Sequence, residues 1–335
     1  MKIALCTDAW HPQINGVVTT LSQTAERLRG MGEDVRVFSP EDGFRTVALP
    51  GYPEIRLACW PYRRLARQLV AFSPDCLHVA TEGPLGIAAR RWARRQKMPF
   101  TTSYHTQFPE YLRARLPFPL AWSYAWLRGF HGAATRTLVA TPHMLEMLGQ
   151  RGFDRLAIWS RGVDTALFRP ERRRSLGLPG PVWVYAGRLA VEKNLPAFLE
   201  LDLPGSKLVI GDGPERARLQ HDFPAVRFVG YRQNEDLAAH LASGDVFVFP
   251  SRTVTFGLVM LEAMACGLPV AAFPVTGPID VVRQGITGML DTDLRRACIG
   301  ALTLDRRRVR TVALAHGWDV SAAQFLGHLR PVEAR

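Results

Sequence analysis

Residues 250–269 read PSRTVTFGLVMLEAMACGLP. The run Val246 to Phe249 just before them has the continuous apolar character of a buried strand. Phe256, Gly257 and Leu258 then open a helix, Glu262 sits a little over one turn in, and Cys266-Gly267-Leu268-Pro269 closes it. A helix that begins beyond the end of a strand presents unsatisfied backbone amides and a partial positive charge, which suit a phosphate. This strand-turn-helix unit sets the expectation of an α/β fold.

The same unit recurs in both directions. Towards the N-terminus, strand-like runs stand at Ile3 to Cys6, Val35 to Phe38, Cys76 to Ala80, Phe100 to Tyr104, Leu138 to Ala140 and Ile158 to Ser160. Amphipathic stretches separate them, such as Val17 to Arg29, where Leu21, Ala25 and Leu28 keep helical spacing. At residues 168–181, FRPERRRSLGLPGP, the apolar period stops among prolines, glycines and arginines, which predicts a linker. Strands resume at Val182 to Ala186, Lys207 to Ile210, Val226 to Val229, Val246 to Phe249 and Val270 to Phe273. The expectation is two Rossmann-like, doubly wound domains, 1–167 and 182–318, each with its ligand loops beyond the carboxyl ends of its strands. A chain of 335 residues is long enough for both.

Composition narrows the function classes. Hydrophobic residues at 47% and charged residues at 21% are globular values. The formal net charge of +12 draws the protein to anionic surfaces or substrates, with acidic lipid and nucleic acid both open on charge alone. Five cysteines, an odd number without a Cys-x-x-Cys pair, read as free and mostly buried thiols. The first residues run straight into a strand, and no apolar stretch reaches the roughly 18 residues of a membrane span, so the expected location is the cytoplasm.

The loops after the strands carry the candidate chemistry. In TDAWHPQINGVVTTL, Asn15-Gly16 precedes a helix and either brings amides to a bound group or makes a plain tight turn. YAGRLAVEKN places Gly187, Arg188, Lys193 and Asn194 at a strand-to-helix junction, where the two cations suit an anionic ligand or are simply solvated. VIGDGP ends another strand with Gly211 and Gly213 around Asp212, a residue that caps a helix as readily as it serves a ligand. Glu262 lies close enough to the helix start of Gly257 and Leu258 to accept hydrogen bonds from a ribose. Cations, glycines, backbone and a carboxylate on successive strand ends point to a nucleoside diphosphate. His105, in SYHTQF, reads on its own as a packed core histidine.

Taken together, GVVTTL, SYHTQFPEY, RGVDTALFRP, GRLAVEKN, GDGP, GDVFVFPS and FGLVMLEAMACGLPV, in this order and spread over almost the whole chain, resemble family 4 retaining glycosyltransferases of the GT-B fold. The likeness extends to bacterial enzymes that glycosylate membrane lipids, among them diacylglycerol glucosyl- and glucuronosyltransferases, and to GDP-mannose-dependent mannosyltransferases. The resemblance implies two domains facing a cleft, with the segment 319–335 packing back towards the N-terminal domain. It implies a nucleotide-sugar donor, UDP-linked in the first reading and GDP-mannose in the alternative, a lipid acceptor such as diacylglycerol, and no metal or tightly bound cofactor. Arg188 and Lys193 would hold the diphosphate and the amides of Gly257 and Leu258 would assist. Glu262 would bind the ribose, His105 would face the donor sugar, and the Gly16 loop would approach the diphosphate. Such a site stabilises the leaving group electrostatically.

Two positions depart from the family pattern. Gln107 stands where relatives often carry Asp, and Val254 stands eight positions before Glu262, where the family has an acidic residue that binds donor-sugar hydroxyls. Valine makes no such hydrogen bond. Either Thr253 or Thr255 substitutes, or the donor differs, or the protein is an impaired nucleotide-sugar binder. Asp291-Thr292-Asp293 matches an Asp-x-Asp metal motif but lies in a turn-like stretch beyond the main strands, which argues against that role.

The acceptor half interleaves arginine with aromatics in WPYRRLARQLVAF (60–72), ARRWARRQKM (89–98) and YLRARLPFPLAWSYAWLRGF (111–130). An apolar, tryptophan-bearing surface with a basic rim lies on an anionic bilayer, and this predicts peripheral membrane association. The plainer alternative is an interior helix with a wetted basic face. Nucleic acid is disfavoured because no binding module is recognisable.

Overall fold

The computed structural model describes residues 1–13, 15–49, 52–105, 109, 119–254 and 256–329, and for 52–54 the backbone only. The chain divides into two compact units, Met1–Arg161 with Trp318–Arg335, and Gly162–Gly317. The stretch 168–181 lies within the second unit, where Arg173 pairs with Asp245 and Arg174 with Asp236.

The first unit contains β1 (Lys2–Cys6), α1 (Gly16–Gly30), β2 (Asp34–Phe38), a hairpin of β3 (Thr46–Leu49) and β4 (Tyr52–Ala58), α2 (Tyr62–Phe72), β5 (Cys76–Val79) and α3 (Pro84–Gln96). It continues with β6 (Phe100–Tyr104), α4 (Leu120–His131), β7 (Arg136–Val139), α5 (Pro142–Gln150), β8 (Leu156–Ile158) and the C-terminal helix Trp318–His328. Six strands form one parallel sheet in the order β2-β1-β5-β6-β7-β8. Alternate residues of β1 enter opposite cores, as the two-residue period of a strand requires. Ala4 and Cys6 pack with α2 and α3 residues such as Leu65 and Trp92, whereas Ile3 and Leu5 pack with Leu21, Trp159 and Phe325.

The second unit contains β9 (Val182–Ala186), α6 (Pro196–Leu199), β10 (Ser206–Ile210), α7 (Arg216–Asp222), β11 (Arg227–Gly230), α8 (Asn234–Ala242), β12 (Val246–Phe249) and α9 (Leu258–Ala265). β13 (Val270–Ala272), α10 (Pro278–Val281), β14 (Gly288–Leu290), α11 (Leu294–Leu302) and α12 (Arg306–Leu314) complete it. Its sheet is parallel throughout, ordered β11-β10-β9-β12-β13-β14. β9 and β12 are buried along their whole length, which explains their unbroken apolar sequence. Val184 faces one core and Trp183 and Tyr185 the other. Each such fully buried aliphatic or aromatic side chain contributes roughly 1.5–3 kcal/mol.

The doubly wound architecture expected from the alternating runs is therefore present twice. Two details differ from the sequence reading. Ile158 to Ser160 was expected as a strand, whereas β8 is Leu156–Ile158. The β3–β4 hairpin and β14 carried too little apolar periodicity to be read; β3 has two exposed residues among its four.

Candidate functional site

In each sheet the strand order reverses at one point, and there the loops diverge to leave a crevice at the carboxyl edge. In the second unit this point lies between β9 and β12. The loops after these two strands hold most of the candidate residues. Gly187 and Arg188 follow β9 directly, and Lys193 ends a 3₁₀ turn, Val191–Lys193. Asn194 adopts a left-handed conformation and donates from Nδ2 to the carbonyl of Pro250, 3.1 Å away, tying the β9 loop to the end of β12. Arg188 and Lys193 are each half-buried. Burial lowers the Lys193 ammonium from its usual value, Glu192 opposes that fall, and the Arg188 charge adds to it. The charges of Arg188, Glu192 and Lys193 thus act on one another within this one loop.

The β10 loop closes the same edge. Gly187 N donates to the Ile210 carbonyl at 2.9 Å and Gly211 N to the Gly230 carbonyl at 2.9 Å. A Cβ on Gly211 would lie 1.9 Å from the Gly187 oxygen, so this glycine is required by the packing of one loop on another. Asp212 pairs with Arg216 at 2.6 Å, a local helix-start contact.

Beyond β12, the chain reaches Gly257 at φ +84, which caps α9 without any side-chain hydrogen bond. Met260 N bonds to the Gly257 carbonyl. The amides of Leu258 and Val259 have no partner among the described residues, as is general for the first turn of a helix. At its other end α9 closes through Leu268 N to the Ala263 carbonyl and Gly267 N to the Met264 carbonyl, a Schellman arrangement. Glu262 is half-buried and its carboxyl has no hydrogen-bond partner among the described residues. Burial pushes it up to about 7. An unpaired carboxyl at this depth is costly unless a ligand supplies donors.

Two residues here differ from their sequence reading or escaped it. Val254 is 8% exposed and belongs to the apolar core of the unit with Phe249 and Met260, and its Cγ1 would lie 2.7 Å from a Cβ on Gly277. It is thus a packing residue in this structure. Of its two suggested substitutes, Thr253 is half-buried and Thr255 lies outside the described residues. Ser251 is completely buried with its Oγ lacking a hydrogen-bond partner among the described residues. Its signal in the sequence was only its place one residue beyond a strand-ending proline.

In the first unit, Gly16 is the opening residue of α1, where Asn15 Oδ1 already accepts from Val17 N and Val18 N at 3.0 Å. Asn15 thus caps the start of α1 through its side chain. His105 follows β6, is buried, and accepts at Nδ1 from the Arg161 guanidinium at 3.2 Å. Gln107 lies outside the described residues, as do residues 110–118 of the basic-aromatic stretch.

Asp291 and Asp293 serve local structure. Asp293 caps α11 by accepting from Arg295 N and Arg296 N, and Asp291 pairs with Arg296 at 3.0 Å. Among the described residues no group of three or more His, Cys, Asp or Glu stands in metal-binding proximity. The five cysteines are free, and four of them are buried.

The same unit carries a cationic face. Neither α2 nor α3 contains an acidic residue, and Arg63, Arg64, Arg67, Arg91, Arg94 and Arg95 are all exposed. Arg91 and Arg95 lie over the Tyr62 ring at 4.7 and 5.3 Å, which joins the two helices into one surface. Arg90 then reaches the carbonyls of Gly129 and Phe130 at the end of α4, whose Trp122 and Trp126 are 70% and 48% exposed. α4 is therefore neither wholly interior nor wholly wet. No described helix is long and apolar enough to cross a membrane.

Comparison with known proteins identifies the family and the fold. Residues 14–167 match Glycosyltransferase Family 4 and residues 180–302 match Glycosyl transferases group 1. The chain is 32% identical to a GDP-mannose-dependent alpha-mannosyltransferase of Mycobacterium tuberculosis, over 100% of this chain and 98% of the relative. It is 26% identical to the alpha-monoglucosyldiacylglycerol synthase of Streptococcus pneumoniae, over 81% of this chain and 71% of the relative. Among solved structures, Anabaena HepE in complex with UDP and glucose superposes with a TM-score of 0.73 at 17% identity, covering 98% of both chains. Sucrose-phosphate synthase from Thermosynechococcus elongatus superposes with a TM-score of 0.75 at 21% identity, covering 97% of both. The chain belongs to the family 4 glycosyltransferases and has the GT-B fold.

Proposed function

We propose that this glycosyltransferase moves a mannosyl group from GDP-mannose to a membrane-lipid hydroxyl. The observation that carries the choice of donor is the run of GDP-mannose-dependent mannosyltransferases at 30–32% identity, two of which align with the entire chain. This reading reverses the preference for UDP that the sequence alone suggested. A second reading, glucosyl transfer from a UDP-sugar to diacylglycerol, draws support from the monoglucosyldiacylglycerol synthases at 26% and 23% identity.

In either reading Arg188, Lys193 and the amides of Leu258 and Val259 hold the donor diphosphate. They stabilise the charge that develops as the nucleoside diphosphate departs, an electrostatic role that a fixed, half-buried site performs better than water. Glu262 in its ionised form accepts from the ribose hydroxyls. His105 meets the transferred sugar. With Val254 packed in the core, the polar contact expected at that position falls to a neighbour, and the half-buried Thr253 is the candidate. The cationic face of α2 and α3, with Trp122 and Trp126 beside it, rests on an anionic lipid surface and brings the enzyme to its acceptor.

Titration calorimetry with GDP, UDP, GDP-mannose and UDP-glucose tests the donor, followed by product analysis on vesicles containing diacylglycerol and anionic lipid. GDP-mannose binding at least tenfold tighter than UDP-glucose, with a mannosylated product, supports the first reading; the reverse establishes the second. Nucleotide binding with neither sugar transferred would identify an impaired binder.

A further inference from the structure

We infer that Arg161 is a positioning residue that fixes the tautomer of His105, so that the neutral ring carries its proton on Nε2. The inference rests on the reading of His105 as the contact to the transferred sugar. Arg161 is 4% exposed. Its Nη2 donates to His105 Nδ1 at 3.2 Å and its Nη1 to the Trp159 carbonyl at 2.6 Å, while the guanidinium lies 4.4 Å over the Trp159 ring. The His105 ring meets the same indole edge-to-face at 5.7 Å. Guanidinium, indole and imidazole thus hold one another in place.

The chemistry follows from what each group can do. A guanidinium only donates, so Nδ1 must present its lone pair, and a neutral imidazole that accepts at Nδ1 has its hydrogen on Nε2. From that nitrogen His105 can then only donate, which suits a sugar hydroxyl or ring oxygen. Among the described residues no carboxylate pairs with Arg161, and burial brings it down to about 9. A buried cation without a counter-ion is costly, and such groups concentrate where they do chemical work.

Arg161 also keeps the ring neutral. Among the described residues, the titratable groups that act on His105 include Arg161, His78 on β5 and His131 on α4. Burial first, then Arg161, His78 and His131 hold His105 well below the usual imidazole range. His78 is itself lowered to about 3 by burial and is hydrogen-bonded to Thr101 and Ser103, so it adds little charge near neutrality.

The test is a long-range proton–nitrogen correlation spectrum of the full chain labelled with ¹⁵N-histidine, recorded from pH 6 to 8, with His105 assigned through His105→Gln. The expected spectrum shows His105 unprotonated at Nδ1 and protonated at Nε2, unchanged across that range. In Arg161→Met the ring is expected to populate the Nδ1–H tautomer or to titrate. Turnover of GDP-mannose or UDP-glucose should then fall on the order of 10- to 100-fold at unchanged affinity for GDP and UDP, with part recovered in Arg161→Lys. An Nδ1–H tautomer in the unaltered protein overturns the inference, and so does a His105 signal indifferent to Arg161→Met. Should that variant not fold, the spectrum of the unaltered protein still decides between the tautomers. A shifted tautomer with undiminished turnover would leave the positioning inference intact and remove His105 from the transfer reaction.

Discussion

Asn194 Nδ2 donates to the Pro250 carbonyl across 3.1 Å, and this bond joins the two loops that flank the reversal of strand order in the second sheet. Lys193 precedes Asn194, and the α9 start lies a few residues beyond Pro250. The bond therefore sets the spacing between the cations and the helix amides. Replacing Asn194 with Gly preserves the left-handed backbone but removes the donor. We expect Asn194→Gly to cost about 1 kcal/mol of stability and to weaken GDP or UDP binding by roughly tenfold. Calorimetry on the folded variant checks this; affinity unchanged within twofold would show that the loops keep their spacing without the bond.

Lys193→Met removes a half-buried cation while retaining most of the apolar stem. Loss of a leaving-group contact of this kind lowers kcat on the order of 100- to 1000-fold. Thermal stability should hold or rise, because burial disfavours the ammonium. A steady-state assay alongside a melting curve separates the two effects.

Glu262 links stability to function with opposite signs. Its carboxyl titrates near 7 in the folded chain against an ordinary 4.5, so the folded state holds the proton more tightly. The cost to stability is absent below about pH 4.5, grows between 4.5 and 7 and is complete above 7. Glu262→Gln should therefore be more stable than the unaltered protein at pH 8, by roughly 1–3 kcal/mol, and similar to it at pH 4.5. Nucleotide-sugar affinity of the unaltered protein should rise from pH 6 to 8 as the acceptor carboxylate forms, and the variant should lose that dependence. Urea unfolding at the two pH values and calorimetry across the range provide the readings.

Gly211→Ala places a Cβ 1.9 Å from the Gly187 oxygen at φ +142. The loops must separate, and a strained backbone position costs on the order of 1–3 kcal/mol. We expect a lower melting temperature together with weaker nucleotide binding, since Gly187 precedes Arg188. An unchanged melting temperature would mean that the two loops are less tightly packed than the geometry implies.

The cationic face predicts a salt-dependent encounter with lipid. Arg91→Glu combined with Arg94→Glu should abolish sedimentation with anionic vesicles at about 0.1 M salt, where exposed charges still act over roughly 10 Å. Turnover on a detergent-dispersed acceptor should stay the same. Equal sedimentation of the variant and the unaltered protein would remove α2 and α3 from the docking surface.

The sequence by itself determined the α/β class, both doubly wound sheets and the loops that hold Arg188, Lys193, Gly257 and Glu262. Buried parallel strands must be apolar along their whole length, and phosphate-binding turns need glycines and helix starts, so both leave local marks. The hairpin at Thr46–Ala58 left almost none, because its strands are partly exposed. Other facts depended on contacts between distant segments. Val254 is a core residue because Gly277 and Met260 surround it. Glu262 titrates near 7 because the packed unit removes water from it. The partnership of Arg161 with His105 spans residues far apart in the chain, and only folding brings them within 3.2 Å. Local pattern records what a segment must be; burial and tertiary contact decide the charge and hydrogen-bonding state in which it works.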